Sequence, residues 1–147
     1  MQGPAAERFV VLNLRLLAVT FAVVGILFIA VPNGVLDTVS DLGDSLGGFS
    51  RAPHGDEQLW LALGFSYMVV ITGLCLIAQA DVVRYRSLLL LLAAGKTASS
   101  LTSLGFYLFD EHVFAYLLNF LVDGSLVLVS LSLWSLIGRI DRQPGAG

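Results

Sequence analysis

Four long apolar runs separated by short polar breaks dominate the chain, at 9–31, 59–80, 87–109 and 113–137. Each is about twenty residues or longer, and at ~1.5 Å of rise per residue a helix of that length crosses a hydrocarbon core of ~30 Å. Shorter segments of alternating polarity, the mark of a membrane-spanning barrel, do not occur. Between the first two runs, Val35, Val39, Leu42, Leu46 and Phe49 recur at spacings of four, three, four and three, while Asp37, Asp41 and Asp44 share another face. The spacing predicts a short amphipathic helix over 35–49, closed by Gly47-Gly48, that lies flat on the membrane or caps the bundle. The fold class is therefore all-α: one domain of four transmembrane helices in a bundle, with an amphipathic helix in the first outer loop.

The first run is too long for a signal-peptide core, contains Arg15 and is followed by no small-x-small cleavage site. A retained helix is expected, with Pro32-Asn33-Gly34 as its stop. Composition agrees with a membrane chain. Of 147 residues, 56% are hydrophobic and only 13% charged, against about a quarter charged in a soluble domain. The net charge of -3 excludes the basic face that a nucleic-acid partner needs.

The arginines set an orientation. Arg8 and Arg15 enter the first helix, Arg84 and Arg86 lie between the second and third, and Arg139 and Arg142 follow the fourth. An even number of crossings gathers these on one side, with Arg51 alone on the other, so the positive-inside rule predicts cytoplasmic N- and C-termini. Arg15, just inside its helix, is expected to snorkel to the interface. Cys75 is the single cysteine and sits inside an apolar run, so no intramolecular disulfide forms and it reads as a small buried hydrophobe.

Catalytic and cofactor motifs are missing from the sequence. His54 and His112, the only histidines, both fall in outer loops, which leaves no intramembrane pair for a haem, and no Cys-x-x-Cys-His occurs. No Ser-His-Asp or metalloprotease pattern is present, so neither a catalytic set, a metal nor a cofactor is expected. The acidic face of 35–49 reads as a solvated surface; the competing reading adds His54, Asp56 and Glu57 as ligands for a cation. No internal repeat relates the first two helices to the last two, against an inverted-repeat transporter.

Two charges interrupt the last two runs. Gly95-Lys96-Thr97 has the ending of a phosphate-binding loop, but Leu90 stands where that motif requires glycine. Lys96 and Asp123 each cost ~2.5 to 3.5 kcal/mol in hydrocarbon on insertion scales. The short turn Asp110-Glu111-His112 makes these helices antiparallel neighbours. Lys96 precedes Asp110 by 14 residues and Asp123 follows it by 13, so both lie about 20 Å below the turn. Their azimuths also agree. Ser99, Ser100, Ser103 and Tyr107 share the face of Lys96; Tyr116, Asn119, Ser130 and Trp134 share that of Asp123. Ser125, Ser132 and Ser135 fall off the stripe and suit bonds to their own backbone.

Two polar stripes with charges at one depth are expected to face each other, either as a structural ion pair that fixes register or as a path or pocket for a proton, an ion or a polar headgroup. Gly95, Ser99 and Thr102, and Ala18, Ala22 and Gly25 in the first helix, offer small surfaces for close packing. Glu57, Trp60, Gly64, Tyr67 and Cys75 lie broadly on one side of the second helix, as the remaining wall of a polar interior.

The stretches "GILFIAVPNGVL", a first helix ending in proline before an outer amphipathic segment, and "LVDG" in the last helix resemble the DoxX-like class of small bacterial membrane proteins. The resemblance covers most of the chain as a layout and implies a multi-pass, four-helix protein of the bacterial inner membrane, in a class where some members accompany quinone-linked or sulfur redox complexes. It carries over no catalytic residue. The leading expectation is a non-catalytic membrane protein that binds a lipid or quinone-like molecule or serves as an accessory subunit, with a membrane-protein partner or a second copy as company. The alternative is a small proton- or ion-coupled transporter using Lys96 and Asp123. An enzyme acting on lipid has least support.

Overall fold

The computed structural model describes residues 4–54 and 58–141. Asp56, Glu57 and Arg142 lie outside the described residues. The described residues fold into five helices: α1 (Pro4–Ala30), α2 (Pro32–Leu46), α3 (Gln58–Ala80), α4 (Ser87–Phe109) and α5 (Phe114–Asp141). Four of them, α1, α3, α4 and α5, are long and apolar enough to cross a membrane, and the protein is an all-α, multi-pass membrane protein. α1 and α5 extend past the apolar runs that predict them, carrying Glu7 and Arg8 at one end and Arg139 at the other. At 27 and 28 residues they reach about 40 Å, longer than the hydrocarbon core, so their charged ends lie in the interface.

The four spans are two close pairs, α1 against α3 and α4 against α5, with much thinner contact between the pairs. α1 and α3 are antiparallel: Arg15 Nε donates to Gln79 Oε1 at 3.1 Å near one end, and Gly25 meets Met68 further along. A Cβ on Gly25 would lie 2.9 Å from Met68 Cβ, so glycine sets the approach there. The core shared by the pairs is Val10, Leu14 and Phe21 of α1, Ile71 and Cys75 of α3, Leu89 and Leu92 of α4, and Leu133 and Ile137 of α5. Outward faces stay apolar, with Leu16 and Val19 on α1, Val70 and Ile77 on α3, Leu91 and Leu101 on α4, and Leu121 and Leu128 on α5 all exposed. A bilayer covers such surface at no hydrophobic cost, and the helical backbone satisfies its own polar groups there.

Pro32 does not act as a simple stop. Val31 is thrown out of helix (φ -142°, ψ 56°), as the residue before a proline tends to be, and Pro32 then opens α2 at its first turn, where no N–H is required. The amphipathic helix consequently runs three residues earlier than 35–49 at both ends, and Phe49 falls beyond it. Gly47 and Gly48 end it with φ of 79° and 83°, a region that disfavours side chains.

α2 docks by a different face from the one its spacing predicts. Ser40 and Gly43 are the buried positions, whereas Leu42 and Leu46 are 51% and 63% exposed. Gly43 presses on Phe114 at the start of α5, where a Cβ would come within 2.6 Å of Phe114 Cβ. Close backbone approach at a glycine decides the docking, and Leu42 and Leu46 are left exposed. The following loop is tied to the α4–α5 turn: the Ser50 N–H donates to His112 O at 3.0 Å, the Ala52 N–H donates to Ser40 Oγ at 3.1 Å, and Phe49 meets Phe114 edge-on at 5.1 Å.

Gly43→Val should therefore loosen α2 by about 1 to 3 kcal/mol, the usual range for overpacking. Limited proteolysis at Gly47–Gly48 should speed up severalfold in detergent, while Leu42→Asp leaves the cleavage rate nearly unchanged there. Equal sensitivity of the two variants would contradict docking through Gly43.

Candidate functional site

The α4–α5 hairpin keeps one antiparallel register along its length. Nearest the turn, Asn119 Nδ2 donates to Ser103 Oγ at 2.7 Å and to Ser99 Oγ at 3.2 Å. One turn further, Ser100 Oγ donates to the Phe120 carbonyl at 2.9 Å. Gly124 makes that possible, since a Cβ there would sit 3.3 Å from Ser100 Oγ. Next comes the pair itself: Lys96 Nζ donates to Asp123 Oδ1 at 2.8 Å, with the side chains 2% and 5% exposed. Near the far end, Arg86 Nε donates to the Trp134 carbonyl at 2.9 Å.

The pair is not confined to one hairpin. Lys96 Nζ lies 4.6 Å from the centre of the Phe21 ring on α1 and 5.3 Å from that of Tyr67 on α3. A desolvated ammonium over a ring gains up to ~2 kcal/mol from the ring quadrupole. The lysine thus meets a carboxylate on α5 and aromatic faces on both helices of the other pair. Gly95 admits Tyr67, whose Oη would lie 3.3 Å from a Cβ on that glycine. Tyr67 Oη is itself buried and has no hydrogen-bond partner among the described residues.

The rest of the two stripes does other work. Ser130 is fully buried but donates to the Leu126 carbonyl of its own helix at 2.8 Å; it is seven residues from Asp123, about 10 Å along the axis, too far to reach the pair. Tyr107 packs on Phe49 and His112, and Tyr116 on Phe106, so both belong to the aromatic end of the hairpin. Ser125 donates to the Val122 carbonyl. On α3, Tyr67 and Cys75 turn inward, but Trp60 is exposed and nothing lies within 4 Å of a Cβ on Gly64. The face that includes them is covered only from Tyr67 inward, which corrects the expectation of a continuous polar wall. Thr102 is likewise exposed rather than packed.

The acidic face of α2 is occupied by side chains of the same loop. Arg51 bridges Asp41 Oδ1 at 2.7 Å and Asp44 Oδ2 at 2.6 Å, and His54 Nε2 lies 2.8 Å from Asp37 Oδ1. The hydrogen bond to Asp41 and the charge of Asp44 hold the Arg51 guanidinium above its ordinary pKa. These contacts are solvated and contribute little to stability, yet they direct the carboxylates toward Arg51 and His54. Among the described residues no three ligating side chains converge to hold a metal.

Sequence spacing offered no sign of Phe21, one apolar residue among many in α1, nor of Arg86 on Trp134 at 4.1 Å. Both are contacts between segments far apart in the chain, and periodicity within one helix does not report them. The sequence matches no protein-family model, no curated protein and no solved structure.

Lys96→Met and Asp123→Leu should each destabilise the protein in detergent by ~3 to 5 kcal/mol, the cost of leaving a buried charge without its partner. The double variant should regain most of that loss. Thermal unfolding of the four proteins gives the coupling, and simple addition of the two effects would contradict a direct pair.

Proposed function

We propose that this is a non-catalytic protein of the bacterial inner membrane that holds an apolar, lipid- or quinone-like molecule between α1 and α3, alone or as an accessory subunit of a larger membrane complex. The observation that carries the reading is a cleft of about 350 Å³ between these helices, walled by Phe21, Gly25, Phe65, Met68, Thr72 and Leu76 among others. Its volume is in the range of small-molecule sites, which are mostly apolar with a few polar anchors. Thr72 supplies such an anchor. A threonine hydroxyl within a helix ordinarily donates to the carbonyl one turn back, as Thr38 does to Gly34 and Thr97 to Ala93. Thr72 Oγ1 is buried and makes no hydrogen bond among the described residues, which suits a carbonyl or ester oxygen brought by a ligand. Phe21 both lines this cleft and has its ring centre 4.6 Å from Lys96 Nζ, so a bound molecule sits one side chain from the ion pair.

Among the described residues, five arginines (Arg8, Arg15, Arg84, Arg86 and Arg139) at the end shared by the start of α1, the α3–α4 turn and the end of α5, against Arg51 at the other, support cytoplasmic termini. The DoxX-like layout supports the bacterial inner membrane. A second reading, proton- or ion-coupled transport, draws on the unpartnered Tyr67 hydroxyl beside Lys96; the sealed geometry of the pair favours a holding role over conduction.

Gly73→Leu separates ligand binding from folding. Nothing lies within 4 Å of a Cβ on Gly73, which lines the cleft, so leucine fills the space without touching the packing. Titration of the purified protein with decylubiquinone and with a diacylglycerol should show saturable binding of at least one, weakened about tenfold or more in Gly73→Leu and severalfold in Thr72→Val, at unchanged helical content. Absence of saturable binding, or equal binding by all three proteins, would overturn the cleft as a site; proton-dependent flux in liposomes would favour the transporter.

A further inference from the structure

We infer that a second site, built from Arg86, Ser135 and Arg139 at the end of the bundle that carries the termini, binds the phosphate group of an anionic phospholipid. It lies apart from the α1–α3 cleft and does not depend on the reading of that cleft. A cavity of about 280 Å³ there is lined by Arg86, Trp134, Ser135, Gly138 and Arg139.

Arg86 is fixed in place before any ligand arrives. Its Nε donates to the Trp134 carbonyl at 2.9 Å, and its guanidinium lies over the Trp134 ring at 4.1 Å. The absent side chain of Gly138 makes room for it: a Cβ at that position would be 2.6 Å from Arg86 Cζ. Stacking and a single Nε bond lay the guanidinium flat against Gly138, and neither terminal nitrogen has a hydrogen-bond or carboxylate partner among the described residues. A guanidinium held by its back edge presents the planar fork that recognises two oxygens of a phosphate at once.

The surroundings favour an anion. Arg139 adds a second positive charge to the same cavity, and no described carboxylate pairs with it. Asp81, at the same end of the bundle, accepts the Arg84 N–H at 3.0 Å within the α3–α4 turn and does not line the cavity. Ser135 contributes a hydroxyl that makes no hydrogen bond among the described residues.

A second cavity makes a lipid, rather than a free anion, the occupant. It follows the outward face of α5 and is lined by Leu128, Leu131, Ser132, Ser135, Leu136 and Arg139. Ser135 and Arg139 belong to both cavities, so the cationic pocket opens directly onto a groove with leucine walls that descends toward the membrane interior. A phosphate at the guanidiniums thus brings an acyl chain into line with the leucines. Trp134 lies toward the end of the apolar span Phe114–Ile140, the position in which interfacial tryptophans occur. Basic pockets between transmembrane helices are a recurrent way of holding anionic headgroups.

Native mass spectrometry of the full chain, released from detergent with added phosphatidylglycerol or phosphatidylcholine, tests the site. Phosphatidylglycerol should bind with one tight equivalent and be preferred over phosphatidylcholine by about tenfold. Arg139→Gln, at an exposed position that bears no packing, should reduce that preference severalfold, and Arg86→Gln should abolish it. If Arg86→Gln fails to fold, Arg139→Gln and Ser135→Ala carry the test, each expected to weaken the lipid severalfold. Glycerol phosphate and inorganic phosphate serve as the chain-free arm, and neither should displace the lipid at tenfold excess. Equal retention of the two lipids, unchanged preference in the arginine variants, or displacement by inorganic phosphate would overturn the proposal.

Discussion

A buried lysine that must find its counter-charge within hydrocarbon is the constraint from which the arrangement of this protein follows. Lys96 has an ammonium no water can reach, and Asp123 on α5 neutralises it at 2.8 Å. The pairing fixes how α4 lies against α5, to within less than one helical turn, because a shift of one turn separates the charges by ~5 Å. Around this point the register is repeated by neutral bonds from Asn119 and Ser100 and, at the far end, by Arg86. Phe21 and Tyr67 then lay their rings against the cation, so the thinly connected pair α1/α3 joins α4/α5 where the charge is.

Packing elsewhere follows a different rule. In lipid there is no hydrophobic gain from bringing two apolar helices together, and close approach depends on small residues and polar contacts. Gly25 opposite Met68, Gly43 under Phe114, Gly95 beside Tyr67 and Gly138 under Arg86 are each points where a larger side chain would hold two elements apart. Lateral cohesion is thus concentrated at glycines and at one ion pair, while the leucine-rich exterior is left to the bilayer. The same economy leaves a cleft of about 350 Å³ between α1 and α3.

Much of this was legible in the sequence, because the governing patterns are local. Span lengths follow from the apolar runs, and α4 appears at 87–109 as its run predicts. The short turn at 110–112 acts as a ruler that brings Lys96 and Asp123 to one depth, and a helical period brings Ser99, Ser100, Ser103 and Asn119 to the same seam. What was not legible is what depends on a partner from elsewhere in the chain. Leu42 and Leu46 belong to a clear apolar stripe, yet α2 docks by Ser40 and Gly43, because a stripe states which residues avoid water and not whether they meet lipid or protein. Ser130 shares an azimuth with Asp123 but not its depth, and turns to its own backbone. Phe21 carried no polar signal at all.

The central claim is that a mutual electrostatic contact, and not either residue's size, organises the bundle. Exchange of the two charges measures this most directly: Lys96→Asp, Asp123→Lys and the combined swap, each followed by thermal unfolding in the same detergent. The account predicts that each single reversal, which buries two like charges together, lowers the midpoint far more than the swap, which restores an opposite pair at the same depth. A swapped protein no more stable than the worse single reversal would contradict it.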